Sequence, residues 1–196
     1  MKETLAVLGG YLLGSMPFGY WVPRLVRGED IRAKGSGNVG ASNVFRVYGR
    51  SLGIPVALLD LAKGFAAASL GLWAGGALVG VLAAAAAMIG HAYPVFLRFQ
   101  KGGKMVATAG GATLALAPLA AVICIAVWLL VFVATRYASL ASLVTALALA
   151  ILVVVLDYPW PIIAFGIAAA AAVIFLHRQN IRRLLGGSEH RFERAG

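Results

Sequence analysis

The chain is poor in cysteine, in acidic residues and in long polar stretches. Among 196 residues it has one cysteine, Cys124, and 7 Asp+Glu against 17 Lys+Arg. A lone cysteine excludes a disulfide framework and a cysteine zinc cluster. Cys124 also lies in an apolar run, a poor setting for a reactive thiolate. Asp60 and Asp157 fall on apolar segments, and Glu29 and Asp30 stand alone. A two-metal phosphotransferase needs a carboxylate cluster, and none is present; neither a metal nor a cofactor is expected. No G-x-S-x-G nucleophile elbow occurs, nor any H-x-x-x-x-D dyad. No polar stretch is long enough to form a soluble domain.

The chain does have apolar sequence. Hydrophobic residues make up 61% of it, against about 45–50% in soluble domains. Apolar runs near the length needed to cross a bilayer recur throughout. The expected class is an all-α integral membrane protein, a single transmembrane domain over residues 1–196. The net charge of +10 would suggest nucleic acid in a soluble protein. Here the basic loops lack the interleaved aromatics of a single-strand binder, so no nucleic-acid partner is expected. Basic loops instead mark the cytoplasmic face and sit beside anionic lipid. The first segment carries no small-x-small cleavage site, so it reads as a retained helix.

The segments read as 4–26, kinked at Pro17, then 51–73, a tight turn at Gly75–Gly76, and 77–97. Polar loops lie at 27–50 and 98–104. Residues 105–135 form one long apolar run with Pro118 near its middle. Segments 140–156 and 162–176 follow, and a basic tail spans 177–196. If 105–135 is one helix, there are six crossings and the tail lies opposite the first loop. If it breaks near Pro118, there are seven, and every cation except Lys2 and Lys63 falls on one side. The positive-inside rule favours seven helices, with the N-terminus outside and the C-terminus cytoplasmic.

Two loops have the composition of an anion site. "AKGSGNVGASNVFRVYGR" (33–50) and "RFQKGGK" (98–104) offer glycines that let backbone N–H groups converge on an oxyanion. A helix start just after them would add its positive end. Arg46 would supply a bidentate fork and Lys104 a point charge. Neither is a P-loop. A linker can have the same composition, but two such loops on one face favour a site. His177 and Asn180 share a face at the end of the last helix; His177 reads equally as a general base beside the basic phosphate-binding candidates or as an interfacial histidine capping the last carbonyls. His91 reads as a packing or backbone-bonding residue. Asp60 and Lys63 read as an intramembrane pair, either functional or structural. With no activated nucleophile, the chemistry must run on cations, amides, hydroxyls and one histidine. That suits substrates that are already activated and strongly anionic.

In order, "GSGNVGASNVFR" (35–46), "DLAKG" (60–64), "GHAYPVFLRFQKGGKMVAT" (90–108), "RYASL" (136–140) and "HRQNIRRLLGGSE" (177–189) resemble the motifs of the bacterial acyl-phosphate:glycerol-3-phosphate acyltransferase family, the PlsY family. The resemblance implies seven transmembrane helices in the inner or plasma membrane and an active site at the cytoplasmic face. It implies acyl transfer from acyl phosphate to the 1-hydroxyl of glycerol 3-phosphate, giving lysophosphatidic acid and inorganic phosphate, with no acyl-enzyme. Carried over by motif, Ser36, Arg46, Lys104 and His177 are the catalytic candidates. Gly35, Gly37, Asn38 and Asn43 would bind substrate from the first loop. Gly102 and Gly103 would offer amides to the second phosphate, and Ser139 and Asn180 would hold glycerol 3-phosphate. The expected partners are these two substrates and membrane lipid, and the expected assembly is a monomer. The acyl chain would lie along small-residue helix faces such as 83–87. Three positions depart from the family pattern: one extra residue precedes the glycines of the second loop, Met105 replaces a glycine, and Ser42 replaces a threonine.

A transporter for an organic phosphate would also use basic glycine loops. It should show internal repeats with matched broken helices, and the sequence has none.

Overall fold

The structure, a computed structural model, describes residues 1–192. The last four residues of the expected tail lie outside the described residues. The described residues form helices joined by turns and by two longer loops, with no strand. They divide into two compact units, one ending at Leu116 and the other beginning at Ala117.

The first unit begins with α1 (Lys2–Ser15) and α2 (Phe18–Arg27). They are bent by 40° at Met16–Pro17, as expected. Met16, the residue before the proline, is pushed into extended backbone. After α3 (Ala41–Tyr48) comes α4 (Arg50–Ala92), which leaves helical geometry at Gly75 and Gly76. Gly76 has φ +72, open to glycine without strain. The two arms of α4 then pack on each other, Gly71 against the backbone of Val79 and Gly80. α5 (Val106–Leu116) completes the unit.

These helices meet backbone to backbone. Gly10 and Gly14 of α1 lie directly against the backbones of Ala83 and Ala87. Gly64 of α4 faces Thr108 of α5, and Gly111 faces Leu61. Small residues permit this close approach, which gains van der Waals contact where lipid gives no hydrophobic drive. One expectation fails here. Ala83, Ala84 and Ala87 are fully buried, so the 83–87 face is a helix interface and cannot offer an acyl groove.

The second unit holds α6 (Pro118–Thr135), α7 (Ala138–Val155), α8 (Trp160–Leu176) and α9 (Arg178–Leu185). The long apolar run does break, at Ala117, where the residue before a proline leaves the helical region. The split is uneven: α5 has 11 residues and α6 has 18. At about 1.5 Å per residue α5 spans only about half a hydrocarbon core. α6 and α7 are each long and apolar enough to cross a membrane, as is the broken α4, and the bent pairs α1–α2 and α8–α9 qualify if each counts as one span. Leu119, Val122, Leu129, Leu130 and Val133 project from α6 as exposed apolar side chains, the surface a lipid-facing helix presents.

Candidate active site

The first polar segment is not a linker. Its sequence hides an amphipathic helix, α3, which presents Val44 inward. Val44 joins Ile31, Val39, Leu52, Val56 and Leu97 in one buried cluster. The segment therefore has a small hydrophobic core of its own, and Leu97 extends it to the start of the second loop. A Gly/Ser/Asn-rich composition concealed this, because α3 offers barely two turns of periodicity.

Asn43 organises the first loop. It is 2% exposed, and its side-chain oxygen accepts the Ser36 N–H at 2.9 Å. Its side-chain nitrogen donates to the Lys34 carbonyl at 3.1 Å and the Asn38 carbonyl at 2.9 Å. Expected as a substrate ligand, Asn43 has its contacts on the loop's own backbone. Gly35 and Gly37 take positive φ, +56 and +70, which lets the chain curl around that amide. Gly35 also passes so close to the Asn43 oxygen that a side chain would not fit. Ser36 is carried at the exposed tip of the curl, and Arg46 lies half-buried on α3.

The two loops are joined. The Asn38 side-chain N–H donates to the Gly102 carbonyl at 3.2 Å, while its oxygen accepts the Gly40 N–H at 2.8 Å. Arg32 pairs with Asp30 at 2.6 Å and donates to the Gln100 side chain at 2.8 Å. Asp30 is held below the usual carboxylate range, chiefly by its hydrogen bonds from Arg32. Glu29 pairs with Lys34 at 2.7 Å and accepts the Tyr48 hydroxyl at 2.8 Å.

The second loop corrects another expectation. The N–H of Gly102 donates to the Ala92 carbonyl at 2.7 Å, and that of Gly103 to the His91 carbonyl at 3.0 Å. Both amides are therefore committed inside the protein, and the glycines serve close packing. Lys104 follows them half-buried, two residues before α5 begins, where helix N–H groups lack intrahelical partners. Met105 has φ +68. It holds the left-handed conformation that glycine would adopt freely.

The remaining candidates lie in the second unit. His177 caps α8, with its Nδ1–H donating to the Val173 carbonyl at 2.8 Å, so any contact with substrate would come from Nε2. Ser139, at the start of α7, donates its hydroxyl to Glu189 Oε1 at 2.9 Å. The Asn180 side-chain N–H donates to the same oxygen at 2.7 Å, and Arg183 reaches Glu189 Oε2 at 2.7 Å. Ser139 and Asn180 thus converge around a buried carboxylate that the sequence did not single out. Burial pushes the Glu189 carboxyl up, but its hydrogen bonds from Arg183, Asn180 and Ser139 outweigh that and hold it below its ordinary value. The signal was the bent tail: after α9, Gly187 with φ +67 turns the chain back toward α7.

The family model for glycerol-3-phosphate acyltransferase matches residues 4–187. A glycerol-3-phosphate acyltransferase of Synechococcus sp. is 49% identical over 191 residues, 97% of this chain and 95% of its own. Glycerol-3-phosphate acyltransferase 2 of Moorella thermoacetica is 47% identical over 187 residues, 95% of this chain and 96% of its own. Among solved structures, PlsY (YgiH), an integral membrane glycerol 3-phosphate acyltransferase, matches in its glycerol 3-phosphate form with a TM-score of 0.94 at 42% identity, covering 98% of this chain and 96% of that one. Its lysophosphatidic acid form matches at 0.90 and 40%. By sequence and by fold over nearly its whole length, the chain belongs to the glycerol-3-phosphate acyltransferase family.

Proposed function

We propose that the protein transfers an acyl group from acyl phosphate to the 1-hydroxyl of glycerol 3-phosphate, at the cytoplasmic face of a bacterial inner or plasma membrane. One observation carries this reading: two glycine loops, bearing Arg46 and Lys104, are tied to each other by the bond from Asn38 to Gly102. The proposed topology has seven crossings, with the N-terminus outside, supported by the basic loops and by the break at Ala117. The enzyme acts as a monomer among membrane lipids.

A mixed anhydride needs no covalent activation. It needs an oriented acceptor, worth about 7–11 kcal/mol at best, and neutralisation of the charge that develops on the departing phosphate and the carbonyl oxygen. The acceptor's 1-oxygen forms a bond to the acyl carbon, and the bond from that carbon to the phosphate oxygen breaks. The proton of the hydroxyl passes to a substrate phosphate, and inorganic phosphate leaves. Ser36, Asn38 and Arg46 receive a phosphate from the first loop, and Lys104 serves the second phosphate. Ser139, His177 and Asn180 hold glycerol 3-phosphate, with His177 orienting it. The Glu189 carboxylate keeps Ser139 and Asn180 in place.

The test compares donors. Purified protein given glycerol 3-phosphate should form lysophosphatidate from acyl phosphate and none from acyl-CoA. Transfer from acyl-CoA alone would overturn the donor assignment, and no transfer from either would overturn the activity.

A further inference from the structure

Asp60, Lys63 and His91 are titratable side chains buried in the first unit, and the chemistry above uses none of them. They are 1%, 3% and 7% exposed. All lie on α4, with Asp60 and Lys63 before the Gly75–Gly76 break and His91 after it, so the turn folds His91 back beside the pair. Lys63 Nζ is 2.8 Å from Asp60 Oδ1 and donates to the Met16 carbonyl at 2.8 Å. That bond satisfies a backbone oxygen exposed by the Pro17 bend, as a broken helix in lipid requires. A structural tie of this kind explains the lysine and the aspartate. It does not explain the histidine, whose Nδ1 stands 3.6 Å from the same Asp60 oxygen.

The other edge of the ring meets the second loop. The backbone of His91 and Ala92 accepts the N–H groups of Gly103 and Gly102. A Cβ built on Gly103 would overlap the His91 imidazole at Nε2. Gly103 therefore rests on the ring, and Lys104 is the next residue.

We propose that His91 is a positioning residue for Lys104: the Asp60–Lys63 pair faces one edge of the imidazole, the other edge sets the height of Gly103, and Gly103 sets where the Lys104 ammonium is presented. This rests on the phosphate-binding reading of Lys104 given above. A histidine that only filled space in the bundle would affect stability and leave the catalytic constants of folded protein alone.

A double-mutant cycle separates the two. Gly103 has no positive φ, so alanine is acceptable to its backbone, and the three atoms nearest the new methyl all belong to the ring. Gly103→Ala should lower kcat/KM about 100-fold, as an ångström-scale displacement can. Removing the ring makes room for the new methyl. The His91→Ala/Gly103→Ala enzyme should therefore recover roughly tenfold or more over Gly103→Ala alone. His91→Ala by itself should lower kcat/KM more than its thermal midpoint explains. His91→Asn, a smaller change that keeps a polar group beside Asp60, should suppress Gly103→Ala as well if the alanine variant does not fold. Strictly additive effects, or a loss confined to thermal stability, would overturn the proposal. The same cycle is read in the affinity for inorganic phosphate, which should weaken in Gly103→Ala and recover in the double variant. If the wild type transfers no acyl group, the functional reading fails, and equal phosphate affinity across the cycle would still overturn the positioning role.

Discussion

Asn43→Ala tests whether the first loop is a built site. The substitution removes three hydrogen bonds, at 2.9, 3.1 and 2.9 Å. Each contributes about 1 kcal/mol net, so the loss is about 3 kcal/mol. Every 1.4 kcal/mol is a factor of ten, so the population of the curled loop relative to open forms falls about 100-fold. A ligand that binds only the curled form loses apparent affinity once the open forms dominate. The helices of the first unit pack elsewhere, through glycine contacts, so the thermal midpoint should change little while the loop opens locally.

Two assays read this out: kcat/KM for acyl transfer, and the rate at which trypsin cuts after Lys34. Activity should fall by one to two orders of magnitude, and cleavage should accelerate. A kcat/KM within about twofold of wild type would show that Asn43 does not hold the loop, because the three bonds of this buried amide cannot be lost without effect if they do. A higher KM for one substrate, with cleavage unchanged, would instead assign Asn43 a direct contact with that substrate.

Lys104→Ala should drop turnover to about 1% of wild type or less, the effect of removing a charge aimed at a developing anion, while the protein folds normally; near-normal turnover would remove the second loop from the mechanism. Glu189→Gln should lower the thermal midpoint at pH 7, because the buried carboxylate binds Arg183, Asn180 and Ser139. Its folded pKa lies below the ordinary 4.5, so its stabilisation is present above that value and is lost as pH falls through the folded pKa. The gap between wild type and variant should therefore close on acidification below 4.5, and a constant gap would contradict the account. In α5, Gly110 has open space where a Cβ would stand, and Gly111 abuts the Leu61 carbonyl. Gly110→Ala should be neutral or stabilising by about 0.5–1 kcal/mol, whereas Gly111→Ala should lower both the thermal midpoint and activity.

Much of the fold could be read from single residues. Pro17, the Gly75–Gly76 pair and Pro118 each impose a local backbone constraint, and each break lies where that constraint acts. Lys104 before a helix start was legible for the same reason. What sequence could not show depends on contacts between distant segments. α3 was hidden because eight residues carry too little periodicity. The Gly102 and Gly103 amides suit an anion by composition, yet carbonyls ten or more residues upstream accept them. The 83–87 alanines are compatible with an acyl chain or a helix, and only packing against Gly10 and Gly14 decides. Glu189 lies on no periodic element, and its role exists only after the chain turns at Gly187.

In the proposed mechanism, acyl transfer runs on bound charge and positioning, with no covalent acyl-enzyme. Purified protein mixed with chain-labelled acyl phosphate, with and without glycerol 3-phosphate, tests it most directly. Phosphate release and lysophosphatidate formation should match one to one when the acceptor is present. Without it, no burst of phosphate and no labelled protein should appear. One equivalent of phosphate released without acceptor, with the label retained on the protein, would contradict the proposed mechanism.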